Sequence, residues 1–249
     1  MVFGQIAAIA LASLVGLSLG ALGSGGSIIT TPLLVYVARV PPASAIGMSL
    51  VIVGATSLVG AYLHMRRGNL AIKPCLLFAL TGMVGSFLGS TGTHLLSKRA
   101  LMLVFSSIML VAGSFMWRGV AAVRKAKSVD IYQCLGAGFF VGLLTGFLGI
   151  GGGFLIVPSL VFFGGLDTRM AAGTSLGVIS FNCVTGLLGQ LRFIEIEWKL
   201  LVLFLVVAIG GMVAGATFSV RLSESRLRRI LAITILVLGA SIGLENLLT

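Results

Sequence analysis

The sequence predicts an all-α polytopic membrane protein with two inverted-topology repeats, each made of a broken or re-entrant Gly-rich hairpin and three transmembrane helices. Three observations lead to this class. The chain is 58% hydrophobic and only 9% charged, whereas about a quarter of the residues in a soluble domain are charged. Its apolar runs reach the roughly 20 residues that a helix needs to cross about 30 Å of hydrocarbon. One of these runs occurs twice, 126 residues apart.

The duplication is clearest where residues 16–50 align without a gap to residues 142–176, with 14 of the 35 pairs identical. Each copy carries a cluster of glycines, then a proline, then a Gly-x-Ser-Leu sequence. An internal repeat of this kind makes each half one folding unit. We therefore predict repeat 1 at residues 1–117, a basic linker at 118–130 and repeat 2 at 131–249.

Repeat 1 opens with an apolar run, residues 4–38, that is too long for one straight span. It is interrupted by Gly23, Gly25 and Gly26, and Pro32 lies beyond them. Glycine readily ends a helix and proline suits the first turn of a new one, so we predict two arms meeting at a Gly-rich turn. The second arm rises only about 18 Å, which favours a re-entrant hairpin. Three spans follow, at residues 44–63, 70–93 and 100–117.

Repeat 2 follows the same plan, with a broken hairpin at residues 131–164 and spans at 170–189, 198–220 and 229–247. The distribution of charge tests the topology. If each broken run turns back, Lys and Arg divide 12 against 5 between the two faces, whereas single crossings divide them 9 against 8. Only the first division obeys the positive-inside rule. It predicts inverted repeats, a cytoplasmic linker at 118–130 and both termini outside.

The net charge of +11 would suggest nucleic acid if the protein were soluble. Because the basic residues lie between apolar runs, we interpret them as orienting the chain in the lipid bilayer, with no nucleic-acid partner.

Broken helices at matching places in inverted repeats are the best sequence indication of a transport site at the membrane midplane. Backbone N–H groups and the positive end of a helix dipole at such a turn would suit a small anion. The candidate substrate-binding residues of the two turns are Gly25, Gly26, Ser27, Gly151, Gly152 and Gly153. The alternative is that these glycines only allow close helix packing. That second role is the one we expect for Gly82, Gly85, Gly89, Gly210, Gly211 and Gly215.

Polar side chains follow each turn at the start of the next span. Ser49 and Ser175 are matched hydroxyls, and Thr174 lies beside the second. A hydroxyl can donate to an oxoanion without burying a charge, so these three are further candidate ligands. Bonding back to their own helix is the alternative. Asn182, matched with Thr56, is either a ligand or a partner in a helix–helix hydrogen bond.

Several classes of chemistry find no support in the sequence. All six acidic residues lie in linkers or at the end of the chain, so none is placed to bind a proton or sodium at mid-membrane. His64 and His94 lie at span ends, where we expect them at the interface. Cys75, Cys134 and Cys183 are isolated and are interpreted as small core residues. We find no nucleotide loop, metal-ligand cluster or nucleophile–base pair, and therefore predict no cofactor, no metal and no enzyme activity.

At the duplicated elements the chain resembles the TauE/SafE family of sulfite exporters, also called the toluene sulfonate uptake permease family. The resemblance rests on segments 149–160, 172–176, 23–34 and 47–50. The first copy departs from the pattern with Ser27 where the second has Gly153. The resemblance implies a permease of a prokaryotic inner (plasma) membrane that moves sulfite, thiosulfate or organosulfonates.

The sequence therefore predicts a secondary transporter that binds a small anionic substrate between two Gly-rich half-helix turns. Two alternatives remain at this point. One is a passive anion channel, and the other is a membrane assembly or sensory component that transports nothing. No feature of the sequence indicates an oligomeric state.

Overall fold

The computed structural model describes residues 2–23, 30–31, 33–91, 106–107, 109–111, 113–114, 117–118, 131–148, 153–190, 196–221 and 223–248. Every regular element among them is helical. Four helices are long and apolar enough to cross a membrane, namely Ser44–Arg66, Ile72–Gly89, Thr168–Leu188 and Trp198–Ser219. The predicted class, an all-α polytopic membrane protein, is therefore confirmed.

The described helices have the following bounds in chain order. They are α1 (Val2–Leu22), a π-helical segment (Leu33–Val37), α2 (Pro42–Arg66), α3 (Ile72–Thr91), α4 (Ile131–Leu148), α5 (Gly153–Phe162), α6 (Thr168–Gln190), α7 (Trp198–Arg221) and α8 (Glu224–Leu248). Most of the segment predicted as a span at 100–117, and the linker at 118–130 apart from its first residue, lie outside the described residues.

The first helix of the chain packs against α7 with the two backbones nearly touching. A Cβ atom at Gly16 would overlap the carbonyl oxygen of Ala208, and one at Gly20 would overlap that of Met212. Residue numbers rise together along the two helices, so α1 and α7 run parallel. Glycine is required at both positions because any side chain would push the helices apart.

A second parallel pair, α3 and α4, is built in the same way. A Cβ atom at Gly142 would overlap the carbonyl oxygen of Gly82, and one at Gly146 would overlap that of Ser86. Adding 126 to the α1 positions 16 and 20 gives 142 and 146, and subtracting 126 from the α7 positions 208 and 212 gives 82 and 86. The contacts between the halves thus recur at the offset found in the sequence.

The central pair, α2 and α6, runs antiparallel. A Cβ atom at Gly54 would lie 2.9 Å from Cβ of Cys183, and one at Gly60 would lie 2.9 Å from Cδ1 of Leu176. Residues with higher numbers in α2 therefore contact residues with lower numbers in α6. These helices occupy matching positions in the two sequence copies yet point in opposite directions.

The chain turns back between α4 and α5. The thiol of Cys134, in the first turn of α4, donates to the carbonyl oxygen of Phe163 at 3.5 Å, so α5 ends where α4 begins. α5 has only 10 residues, which rise about 15 Å, half of the roughly 30 Å hydrocarbon core. α5 is therefore shorter than the 18-residue α4, and its first residue, Gly153, lies partway along α4.

The predicted packing glycines are mostly, but not all, at helix contacts. A Cβ atom at Gly85 would overlap the carbonyl oxygen of Phe139, and Gly211 and Gly215 similarly meet the backbone of α1. The prediction for Gly210 is wrong within the described part of the chain, where no atom lies within 4 Å of the position its Cβ would take. Helical rotation explains the difference, since neighbouring residues point about 100° apart. The three cysteines are free and buried, as predicted.

Candidate functional site

The two predicted Gly-rich turns lie largely outside the described residues. This applies to Gly25, Gly26, Ser27, Gly151 and Gly152. The structure does describe the residues that flank them. Gly153 is the first residue of α5, and Gly23 and Thr31 lie on either side of the first turn.

Gly23 joins the end of α1 to the other repeat. It has a positive φ of 72°, and its carbonyl oxygen accepts a hydrogen bond from Oγ of Ser175 at 2.8 Å. A Cβ atom here would overlap the backbone of Ala172. The first Gly-rich turn is thus anchored at its beginning to α6, a helix of the second copy.

Thr31 anchors the other side of the same turn. Its hydroxyl donates to Oγ of Ser49 at 2.9 Å, and the Ser49 hydroxyl donates back to the carbonyl of Ile46 at 2.9 Å. Because α2 and α6 are antiparallel, Ser49 and Ser175 are separated along the helix axes by about 12 residues, or about 18 Å. The two serines belong to opposite ends of the candidate site.

All three candidate hydroxyls have partners inside the protein. Ser175 also lies 2.8 Å from the carbonyl oxygen of Ala172, one turn back in α6, so its single hydrogen is shared between two acceptors. Oγ1 of Thr174 accepts from the backbone N–H of Ala71 at 2.9 Å, which caps the start of α3. Contact between these hydroxyls and a ligand stays a prediction, whereas their hydrogen bonds show that each one holds neighbouring parts of the protein together.

Asn182 is different, because its side chain is only 3% exposed and its Oδ1 has no hydrogen-bond partner among the described residues. The amide lies against Gly82, where a Cβ atom would be 3.0 Å from Oδ1. The next residue, Cys183, packs on Gly54 at the centre of α2. Asn182 is therefore a buried amide near mid-membrane with unused hydrogen-bonding capacity.

His64 lies in the last turn of α2, as expected from its place at a span end, but its side chain is buried within the protein and only 2% exposed. Neither ring nitrogen has a partner with hydrogen-bonding geometry among the described residues. The carbonyl of Gly20 lies beside the ring, and Arg67 and Arg169 are its charged neighbours. Gly173 makes room for it, since a Cβ atom there would lie 2.9 Å from Nδ1.

Ser57 is a second buried polar residue of α2 and lies nearer the centre of the helix than His64. The two residues together form a buried polar line along α2. Ser57 is fully buried, and its Oγ also lacks a partner within the described part of the chain. Ser57 and His64 are seven residues apart, which places them on one face of the helix together with Gly60. Sequence analysis missed this line, although the spacing of the three residues is the signal that could have revealed it.

Comparison with known proteins identifies the family. The family model described as sulfite exporter TauE/SafE matches residues 8–242. A probable membrane transporter protein of Xylella fastidiosa strain Temecula1 is 38% identical over 220 residues, covering 86% of this chain and 84% of that protein.

More distant relatives carry similar descriptions. The probable membrane transporter protein YdhB of Bacillus subtilis is 32% identical over 212 residues, or 83% of this chain and 86% of YdhB. The probable membrane transporter protein MJ0441 of Methanocaldococcus jannaschii is 26% identical over 192 residues, or 72% of this chain and 70% of MJ0441. No solved structure matches.

Proposed function

The chain belongs to the sulfite exporter TauE/SafE family and is a membrane transporter rather than an enzyme, and from this premise we propose that it is a secondary transporter of small sulfur-containing anions. Sulfite, thiosulfate and organosulfonates are the proposed substrates. The anion binds at mid-membrane between the two Gly-rich turns, with Gly25, Gly26, Ser27, Gly151, Gly152 and Gly153 supplying backbone contacts.

The observation that carries the proposal is the position of the α5 N-terminus. α5 begins at Gly153, partway along α4, and the next residues with described side chains, Leu155 and Ile156, are buried. The first four N–H groups of a helix have no acceptor within the helix. In an apolar setting, those donors and the positive end of the helix dipole favour an anion.

Asn182 supplies the side-chain contact in this proposal. Its amide carries both an acceptor and two donors, and its oxygen is unpartnered among the described residues. A protonated oxoanion such as hydrogen sulfite offers both a donor and acceptors. Ser49 and Ser175 act by holding Thr31 and Gly23, which flank the first turn, and Thr174 holds the start of α3.

The proposed transport cycle exposes the anion alternately to the two sides of the membrane. The antiparallel α2–α6 pair supports inverted repeats, because helices at matching positions point opposite ways. Each half also packs its first helix on the second of the three spans of the other half, α1 on α7 and α4 on α3. A movement of one such pair against the central helices would open one side as it closes the other.

The buried polar line along α2 is the proposed route to the site from one face. It runs from the end of α2, where Arg67 and Arg169 neighbour His64, to Ser57 near the middle of the helix. Cations at the entrance attract the anion, and uncharged polar groups further in replace part of its hydration.

Flux into proteoliposomes with ³⁵S-labelled sulfite and thiosulfate tests the proposal. We expect saturable uptake that accumulates substrate against its gradient when a coupling gradient is imposed. Asn182→Leu should raise the substrate KM about tenfold or more, because a hydrogen bond to a charged partner is worth ~1.5–3 kcal/mol. Gly152→Leu should abolish uptake by filling the turn.

The control variant is Gly210→Ala, which adds a methyl group in open space and should leave uptake unchanged. Flux that never exceeds equilibrium under any imposed gradient would identify a passive channel instead. Normal transport by both Asn182→Leu and Gly152→Leu would place the anion elsewhere.

A further inference from the structure

A groove of about 620 Å³ lies between α2, α3 and α6 on the outside of the helix bundle. Small residues form its floor, among them Gly54, Ala55, Ala61 and Gly177. Leu58 in its wall is 62% exposed. The groove follows α2 from about residue 65 to residue 50, a distance of about 22 Å. In a membrane, such an exposed apolar surface faces acyl chains.

The polar atoms in this groove do not suit a small anion. The hydroxyl of Ser180 donates to the carbonyl oxygen of Gly177 in its own helix at 2.8 Å. Tyr62 lies at the end of the groove nearest the α2–α3 turn and is 53% exposed. The groove is therefore distinct from the proposed anion site, and its apolar lining suits a hydrocarbon chain.

Basic residues mark that same end of the groove. The guanidinium of Arg66 lies 5.8 Å from the centre of the Tyr62 ring, one helical turn along the same face. Lys73 follows the lining residue Ile72 and is exposed. The turn between α2 and α3, residues 67–71, contains no acid. An apolar groove that ends at two cations suits a phospholipid, because the acyl chain is apolar and the headgroup is anionic.

The small α2 residues that line the groove have larger counterparts in the second copy. Ala55 and Ala61 match Phe181 and Leu187 in the second copy, and Tyr62 matches Leu188. In the second copy, larger side chains therefore occupy the positions that match the α2 part of the floor of the groove. The basic residue is nevertheless duplicated, because Lys73 matches Lys199. The second copy thus carries a cation of the same kind in a repeat whose residues matching these alanines are larger.

We propose that this groove binds one molecule of an anionic phospholipid, with an acyl chain along α2 and the phosphate between Arg66 and Lys73. The floor includes α6 residues from Gly177 to Cys183, beside Asn182. A bound lipid would therefore brace the α2–α6 contact at which the two repeats meet. The inference does not depend on which anion is transported.

Native mass spectrometry of the delipidated full chain, titrated in mild detergent with phosphatidylglycerol or phosphatidylcholine, tests this site. We expect one phosphatidylglycerol to be retained and to raise the Tm, with weaker binding of phosphatidylcholine. Each cation near an anionic headgroup contributes about fivefold to affinity, so Lys73→Gln should weaken binding about fivefold and Arg66→Gln with Lys73→Gln about 25-fold. Inorganic phosphate should give no Tm shift.

Two further variants complete the test. Lys199→Gln, the matched control, should leave phosphatidylglycerol affinity unchanged, and equal losses from Lys199→Gln and Lys73→Gln would overturn the proposal. Ala55→Leu should lower affinity by filling the groove while the Tm of the lipid-free protein stays unchanged. Equal binding of the two lipids would also contradict it. So would light scattering that shows a dimer dissociated by Ala55→Leu, which would identify a second copy as the occupant.

Discussion

Gly23 shows how one residue joins the two repeats. Its positive φ of 72° ends α1, its carbonyl accepts from Ser175, and its missing side chain lets Ala172 approach. Gly68 has almost the same φ, 70°, but no atom of the described residues lies within 4 Å of the position its Cβ would take. Comparing substitutions at the two glycines therefore separates the free-energy cost of a positive φ from the cost of losing the close contact with Ala172.

We predict that Gly23→Ala destabilises the protein more than Gly68→Ala. The left-handed conformation alone costs an alanine ~1–2 kcal/mol, so this should be the whole effect at Gly68. Gly23→Ala should add the cost of separating α1 from α6. Thermal unfolding in detergent measures both variants. Equal losses of Tm would show that the close contact at Gly23 has no energetic weight.

Arg39 occupies a backbone conformation that suits glycine. Its φ is 59°, and the matching residue in the second copy is Gly165, with φ 63°. In both copies the following residue closes the segment with a backbone hydrogen bond to the sixth residue before it, at 3.0 Å from Val40 and 3.3 Å from Leu166. Both segments therefore end in the helix-closing motif that glycine usually completes.

We expect Arg39→Gly to stabilise the protein by about 1 kcal/mol, because it removes the strain of a non-glycine residue with positive φ. Gly165→Ala should have the opposite effect of similar size. Chemical or thermal unfolding in detergent compares the two. A loss of stability in Arg39→Gly would mean that the arginine side chain contributes more than the strain costs.

At the level of elements, helix contacts depend on which face of a helix carries glycine. Gly211 faces α1, where a Cβ atom would overlap the carbonyl oxygen of Ser13, whereas Gly210 faces open space. In a membrane, close backbone packing supplies much of the attraction between helices, because lipid removes the hydrophobic driving force. Adjacent glycines in α7 thus have different tasks.

Gly211→Ala should therefore destabilise the α1–α7 pair by about 1–3 kcal/mol, as expected for overpacking of a close contact. Gly210→Ala should be neutral or slightly stabilising, since alanine favours helix by up to ~1 kcal/mol over glycine. The measurement is Tm in one detergent for both variants. If the order of the two were reversed, the assignment of the packing face of α7 would be wrong.

On the scale of the whole molecule, the basic residues gather at one end of the central helices. Arg67 directly follows α2 and donates from Nη1 to the carbonyl oxygen of Ala216, near the end of α7, at 2.7 Å. Arg169, at the start of α6, neighbours His64 near the end of α2. These arginines belong to the group of 12 that the charge count places together, which supports a cytoplasmic position for this end.

Accessibility of introduced cysteines tests that topology. Lys73→Cys lies at the α2–α3 end and Lys199→Cys at the opposite end, by the antiparallel run of α2 and α6. An impermeant maleimide added to right-side-out vesicles should label Lys199→Cys and reach Lys73→Cys only after permeabilisation. The native cysteines are buried, so the parent protein gives the background. Labelling of both from one side would rule out the inverted arrangement.

Much of the membrane architecture could be predicted from the sequence because its causes are local. Long apolar runs must be helical in lipid, and glycine readily ends a helix, so that α1 and α4 end beside the two glycine clusters. The matched pair Ser49 and Ser175 was likewise visible in the alignment. The burial of His64 was not predicted, because it depends on Gly173 in the other repeat leaving room for the ring.

The sequence by itself determined the helical membrane class, the duplication and the family, since these follow from composition and from residues close together in the chain. Tertiary structure alone decided which groups meet across the repeats. Ser175 reaches Gly23, and Asn182 faces Gly82 with its oxygen unpartnered among the described residues. Helix periodicity leaves the rotation and partner of each helix open, and in a membrane close packing between distant segments settles both.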